Sequence, residues 1–191
     1  HRILGDPKGA TLFERLAERR KDTINRLLWD EQEGMYFDYQ FRSRARHVYP
    51  FLTTFYPLWA GIASNAQAKR IVDNLPRFET SCGLQTSLTP SGNQWDAPFG
   101  WAPLQWIAVR GLLRYGYTEE AARIAEKFIL LVTDEHARTG TIREKYNVQG
   151  CNIGVGEDLQ FGYLTNEVGF GWTNGVYLSL LPLIEPMKVL Y

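Results

Sequence analysis

Three runs of this sequence carry side chains whose types and spacing could do chemistry. The first spans residues 84–106, LQTSLTPSGNQWDAPFGWAPLQW. Trp95 and Trp101 offer flat apolar faces, and Gln94 and Asp96 offer an acceptor-rich rim beside them. A sugar has apolar C–H faces and a border of hydroxyls, so a site for one needs this combination. Pro98 and Pro103 limit the freedom of the run, which suits a preorganised site. The same residues would also serve as a plug at the end of a helical bundle, because a buried indole seeks polar neighbours of this kind.

The second run is 141–147, TIREKYN, with Glu144 at its centre. A carboxylate flanked by Arg143 and Lys145 is ordinarily part of a surface ion pair. This one stands in a glycine-bordered stretch beside Tyr146 rather than on a helix face. The third run joins Gly154-Val155-Gly156-Glu157 to residues 168–175, VGFGWTNG, which hold Phe170 and Trp172. Its glycines would equally let backbone close upon a packed Trp172. Glu144, Glu157 and Glu167 all fall within one aperiodic stretch, 140–171.

Helices must position these runs. A capping-box pattern at Thr11-Leu12-Phe13-Glu14 predicts a helix that continues through Leu16, Ala17, Ile24, Leu27 and Leu28 and ends near Trp29. Residues 30–38 read as a turn with a short extended piece. Residues 51–62 predict a buried helix broken at Pro57 or starting close to it. Asn65 is expected to cap a short amphipathic helix that Pro76 stops. Residues 77–100 lose regular periodicity and read as a long ordered loop. Pro103 then opens a helix to Tyr115, and Thr118 with Glu119 and Glu120 opens one to about Thr133. A last helix is predicted from Thr173 to Leu181, where Pro182 would end it. The pattern is all-α, with helical hairpins alternating with long aromatic and acidic loops and no low-complexity linker.

Composition narrows the function classes. Twenty-one basic residues balance 21 acidic ones in 191. That neutrality argues against nucleic-acid or anionic-membrane partners. The densest basic cluster, Arg42, Arg44, Arg46 and His47, reads as a solvated patch. No apolar run is long enough to cross a bilayer, and no leader pattern opens the chain. It begins at His1 rather than Met, so a longer natural polypeptide is expected, and the compartment stays undecided. Cys82 and Cys151 lack metal-type spacing. They could pair in an exported protein, two buried thiols being the commoner outcome. No metal or cofactor is expected. Aromatic residues make up 14% of the chain, six of them Trp and ten Tyr, which leans toward a sugar ligand.

The run QWDAPFGWAP, residues 94–103, resembles the second signature of the trehalase family of glycoside hydrolases, QWDxPxGWAP, and residues 83–92 resemble the run that precedes it. Phe99 stands where that family usually has Asn. Residues 144–147 resemble its E-K-Y-D/N motif, and residues 169–175 its GFGW(T/S)NG ending. Glu157 matches the glutamate after its glycine-rich stretch, at a longer distance from Trp172, as if residues 158–165 were a short insertion. Weaker likeness extends from about Leu12 to Leu181 and includes Tyr56-Pro57-Leu58-Trp59.

The resemblance implies a part of an (α/α)6 toroid, twelve helices in the family, of which about six are legible here. It implies hydrolysis of α,α-trehalose with inversion, Glu144 acting as the catalytic base. Gln94, Trp95, Asp96, Trp101, Phe170, Trp172 and Glu157 would then hold the sugar. The family's acid-bearing motif, G-W-D-x-S-x-R-W, does not occur in these residues. Residues 1–191 are therefore expected to be the carboxy-terminal half of a single catalytic domain, continuing covalently into an upstream half-barrel, with an apolar face left uncovered. Two other readings stay open. One is a related (α/α)6 α-glucosidase acting on another glucoside, the other a non-catalytic helical sugar-binding module.

Overall fold

The computed structural model of the protein describes residues 1–155, 159–162 and 165–188, with the backbone alone for 185–188. Glu157 lies outside the described residues. The chain gathers into two compact units, His1–Tyr49 and Pro50–Tyr191.

The first unit opens with α1 (Pro7–Leu28). It starts ahead of the Thr11 pattern because Asp6 accepts a hydrogen bond from the Gly9 amide at 2.9 Å and Pro7 presets the first turn. Thr11 lies inside the helix and donates to the Pro7 carbonyl. No residue of α1 is buried, and Leu12, Phe13 and Leu16 are exposed. Strands β1 (Trp29–Asp30) and β2 (Met35–Tyr36) pair antiparallel, as do β3 (Asp38–Gln40) and β4 (Ala45–His47). Trp29, Met35, Tyr36 and Phe37 form the buried part of this unit. Arg46 is more than a solvated charge. It donates to the Leu27 carbonyl at 3.0 Å and lies 3.6 Å from Asp30, placing a cation at the negative end of α1.

The second unit begins with a 3-10 turn, Leu52–Phe55, that runs into α2 (Tyr56–Ala60) with Pro57 in its first turn. The cap of α3 (Asn65–Asp73) is Ser64 rather than Asn65. The Ser64 hydroxyl accepts from the Gln67 amide while the Gln67 side chain accepts from the Ser64 amide, a reciprocal pair that Asn65 could not make. Pro76, expected to stop this helix, instead sits in the first turn of α4 (Leu75–Phe78), where its missing N–H costs nothing. The expected long loop contains a small hairpin, β5 (Glu79–Thr80) with β6 (Gly83–Leu84). The long helices follow: α5 (Ala102–Arg114), α6 (Thr118–Thr139) and α7 (Gly171–Lys188).

Helix α6 outruns its expected end because its buried stripe continues through Leu131, Val132 and Glu135, and Gly140 terminates it with a φ of 69°. Helix α7 likewise runs through Pro182. Val176, Leu180 and Ile184 are buried at helical spacing, and that packing outweighs the one backbone hydrogen bond the proline removes. Helix α5 packs against α2, α6 and α7. Its approach to α2 demands Gly111, since a Cβ there would lie 2.9 Å from the Leu58 Cβ and 3.0 Å from the Trp59 amide nitrogen.

Two devices tie the hairpin to the rest of the unit. Gln105 of α5, fully buried, accepts from the Leu84 amide at 2.8 Å and donates to the Leu84 carbonyl at 2.6 Å, standing in for a third strand. Cys82 at the hairpin turn is bonded to Cys151, with Cα atoms 5.5 Å apart, so the expected pair of buried thiols is a half-buried disulfide. The Cys82 amide and the Thr80 hydroxyl both donate to the Val148 carbonyl, three residues before Cys151, so hydrogen bonds join the same two segments as the disulfide.

The disulfide closes a sequence separation of 69 residues, and the chain-entropy relation then gives about 4 kcal/mol of stabilisation. Chemical denaturation with and without reductant should show a loss of that order, matched by the double variant Cys82→Ser, Cys151→Ser. A second expectation concerns Glu79. Burial pushes its pKa up, but hydrogen bonds from Arg123 at 2.9 Å and Lys127 at 2.7 Å outweigh it and hold the carboxyl below the ordinary 4.5. A depressed carboxyl contributes stability above its unfolded pKa and loses it as pH falls through the folded one. Glu79→Gln should therefore cost roughly 1–2 kcal/mol at neutral pH, with the difference from wild type shrinking below about pH 4 in parallel urea melts.

Candidate active site

The first two runs meet in a strand pair. Strand β7 (Phe99–Trp101) runs antiparallel to β8 (Lys145–Asn147), with Phe99 opposite Asn147, Gly100 opposite Tyr146 and Trp101 opposite Lys145. This backbone pairing sets the Glu144 run beside the tryptophan run. The close approach requires Gly100, because a Cβ there would fall 2.4 Å from Val148 Cγ1 and 2.8 Å from the Leu84 carbonyl oxygen. Thr86 fixes the other edge of β7, its amide and hydroxyl both donating to the Phe99 carbonyl. Below the pair, Tyr146 is fully buried and meets Phe128 of α6 edge to face, with ring centroids 5.8 Å apart. Burial raises the Tyr146 pKa, the hydrogen bond from the Arg143 amide working against that rise.

Four aromatic rings gather above the pair. Trp95 stacks face to face on Trp101 with centroids 3.9 Å apart and planes within 3°. Trp172, from the first turn of α7, stands edge-on to both at 6.5 and 5.7 Å. Phe170 follows at 4.7 Å from Trp172. Trp101 is 1% exposed and donates its indole N–H to the Gln94 carbonyl, while Trp95 is 36% exposed. Trp101 is thus the support on which Trp95 rests, and the accessible aromatic surface belongs mainly to Trp95.

Glu144 enters this cluster from the start of β8. It is 2% exposed, and its backbone is held on both sides. Its amide donates to the Glu167 carbonyl at 3.0 Å, and its carbonyl receives the Trp172 indole and the Thr173 hydroxyl, each at 3.4 Å. Next to it lies Lys145, fully buried. The Lys145 ammonium is 3.6 Å from the Glu144 carboxylate, donates to the Gln94 side-chain oxygen at 3.2 Å and to the Thr165 carbonyl at 3.0 Å, and sits 5.5 Å from the Trp101 ring centre. Burial pushes the Lys145 pKa down, while Glu144 and then Glu167 pull it back up. Asn166 clamps the strand, accepting from the Lys145 amide and donating to the Lys145 carbonyl.

The structure therefore brings Gln94, Trp95, Trp101, Glu144, Phe170 and Trp172 into one neighbourhood. Asp96 is buried in the same loop, where Ser91 donates to its carboxylate and its backbone closes turns with Asn93 and Phe99. Gln94 turns its side chain toward Lys145. Among the described residues, no group of three His, Cys, Asp or Glu side chains is arranged to hold a metal ion. Sequence reasoning left out Lys145, Asn166 and Gln105. Their partners lie 20 to 51 positions away, so even the motif that contains Lys145 does not show what its ammonium meets.

The family model described as Trehalase matches residues 1–185. The cytosolic neutral trehalase of Beauveria bassiana is 39% identical over 199 residues, covering 95% of this chain and 27% of that protein. The periplasmic trehalase of Citrobacter koseri is 37% identical over 185 residues, covering 96% of this chain and 32% of that protein. Among solved structures, the neutral trehalase from Saccharomyces cerevisiae superposes with a TM-score of 0.77 at 33% identity, over 93% of this chain and 31% of its own. The GH63 mannosylglycerate hydrolase from Thermus thermophilus in complex with glucose gives a TM-score of 0.61 at 22% identity, over 80% of this chain and 36% of its own, a likeness of fold. The chain spans about a quarter to a third of the length of the curated relatives it matches. Its fold is that of a part of an (α/α)6 barrel. With the model matched along nearly the whole chain and the signature run folded against Glu144, the chain belongs to the trehalase family.

Proposed function

We propose that these residues supply the water-activating side of an active site that hydrolyses α,α-trehalose to two glucose molecules. The observation that carries this reading is the β7–β8 junction, which sets buried Glu144 beside the aromatic cluster, its backbone carbonyl receiving the Trp172 indole. The trehalases among the relatives carry that activity in their names, and the family membership supports extending it to this chain.

In this reading Glu144 is the general base. It takes a proton from a water molecule as the water oxygen attacks the anomeric carbon. The glycosidic C–O bond breaks on the opposite face, its electron pair passes to the leaving oxygen, and an acid protonates that oxygen. Attack from the far side inverts the anomeric centre. Trp95 supplies the stacking surface, with Trp101 behind it and Trp172 and Phe170 forming the adjoining wall. Gln94 and Asp96 hold the loop and border the sugar, and the family resemblance assigns Glu157 a sugar contact. The enclosure of Glu144 keeps competing bulk water from the carboxylate.

An inverting pair of carboxyl groups stands about 6.5–9.5 Å apart, leaving room for the water. We assign the acid to a part of the polypeptide upstream of these residues, since the family's acid-bearing motif is absent from them. Residues 1–191 are then the carboxy-terminal half of one catalytic domain, and the substrate is a small sugar bound between the two halves.

Two measurements test this. In the active polypeptide that carries these residues, Glu144→Gln should lower kcat for trehalose by about 10²–10⁴-fold and leave binding within a few-fold, because the base acts in the transition state. Glucose-release kinetics with calorimetric binding separate the two, and wild-type turnover in the variant would remove Glu144 from the role. The purified 191-residue chain alone should release no glucose above background, and ordinary glycosidase turnover from it would place the acid within these residues.

A further inference from the structure

The Lys145 side chain is fully buried and reaches across the site. Placing an ammonium out of water costs several kcal/mol unless it is paired and hydrogen-bonded. Here the groups that meet it come from three separate segments. The Gln94 side-chain oxygen belongs to the tryptophan loop, the Thr165 carbonyl to the segment before α7, and the Glu144 carboxylate to the entry of β8. The face of Trp101 adds a fourth contact, itself the ring on which Trp95 stacks. A lysine needed only to fill space would be better replaced by an apolar side chain, which packs without desolvation cost. What an apolar side chain would lack is a fixed positive charge beside Glu144.

We propose that Lys145 is a positioning residue for this site: its ammonium, anchored by Thr165 and Gln94, holds the Glu144 carboxylate in place and keeps it anionic, ready to take a proton from water. The inference deepens the assignment of Glu144 as base and rests on it. An opposite charge within about 4–6 Å favours the ionised carboxyl by about 1–3 pKa units. A carboxylate taken out of water needs a partner of opposite charge, and the Lys145 ammonium 3.6 Å away is one. Lys145 also links water activation to sugar binding, because the same ammonium orders Gln94 and underlies the Trp95–Trp101 stack.

The other charged groups of the packed elements are placed differently. Glu167, from the segment before α7, acts on Lys145 through space. Arg143 donates to the Asn166 carbonyl, and Glu135 of α6 receives Arg138, both facing the Tyr146 side of the strand. Asp96 of the tryptophan loop is engaged by Ser91. Lys145 is in ion-pair contact with Glu144 at 3.6 Å.

The test is the pH profile of kcat/KM for trehalose in the active polypeptide, whose acid limb reports the base in the free enzyme. Lys145→Met should move that limb up by about one unit or more, whereas Lys145→Arg, which keeps the charge, should leave it near wild type. A limb unmoved in Lys145→Met, whatever its kcat, overturns the proposal, since a purely structural lysine would lower the rate without shifting the profile. Should Lys145→Met fail to fold, Glu144→Gln reads the same coupling from the other partner, because the interaction is reciprocal. The Lys145 Nζ titration, followed by nitrogen NMR, should then fall below its wild-type midpoint, and an unchanged midpoint overturns the proposal. The two failures are distinguishable. Turnover retained in Glu144→Gln removes the base assignment and this inference with it, while an inactive Glu144→Gln with no shift in either titration removes the positioning role alone.

Discussion

The pairing of β7 with β8 is the constraint on which the rest of this site depends. Three backbone register positions join two runs of sequence more than forty residues apart, and neither run makes a site alone. The tryptophan loop has a stacking surface and no base. The Glu144 segment has a carboxylate and no sugar platform. Hydrogen-bonded strands are stiff and fix their register through side-chain direction, so a slip by one residue would exchange Lys145 for Tyr146 at the position opposite Trp101. Much of the second unit can be understood as enforcing that register. Gly100 permits the approach, Thr86 and Asn166 hold the outer edges, and Gln105 and the disulfide fix the hairpin that backs β7.

Strand alternation explains why Lys145 and Tyr146 can both be buried in succession, with Glu144 buried in the bend that precedes them. Successive side chains of a strand point to opposite faces, and both faces of β8 are covered. Tyr146 points toward α6, where Phe128 receives its ring and the phenol oxygen accepts from the Arg143 amide. Lys145 points the other way, under the indoles. The apolar core thus carries one face of a two-sided strand while the other carries the Lys145 ammonium. Stability and chemistry are separated by a single residue step. A helix could not do this over so short a span, since neighbouring positions there differ by about 100° rather than a half-turn.

Much of this was legible in the sequence, and the remainder was illegible for identifiable reasons. The run 94–103 and residues 144–147 stood out through their resemblance to trehalase-family motifs, since on residue types alone the first could equally plug a bundle and the second read as a surface ion pair. Helix starts followed where a proline or acidic residues occupy the first turn, as at Pro103 of α5 and at Glu119 and Glu120 of α6. They shifted where two capping candidates competed, Ser64 against Asn65 and Asp6 against Thr11, because the winner depends on which side chain reaches an amide. Helix α7 passed its proline for a tertiary reason, the burial of Val176, Leu180 and Ile184, which no propensity encodes. Lys145 was read as the flank of a surface pair, an assignment that follows from charge order alone. Its true surroundings come from residues 51 positions upstream and 20 downstream, so only the folded register reveals them.

The disposition of the aromatic rings follows from the same logic of support. An open indole platform on a loop would be a mobile one, and a mobile platform spends part of its binding energy on being ordered. Stacking Trp95 on a buried Trp101, whose N–H is satisfied by the Gln94 carbonyl, removes that freedom in advance. Trp172 does the same from a helix terminus and spans the gap to Glu144 by donating to its carbonyl. The Glu144 segment and the indole stack are therefore not independent parts brought near each other. They share backbone partners, so a movement of the Trp172 turn displaces the Glu144 peptide, and a loosened Gln94 withdraws an acceptor from Lys145. A sugar seated on Trp95 would meet a carboxylate already fixed relative to the ring beneath it, and fixed relative geometry is what converts proximity into rate.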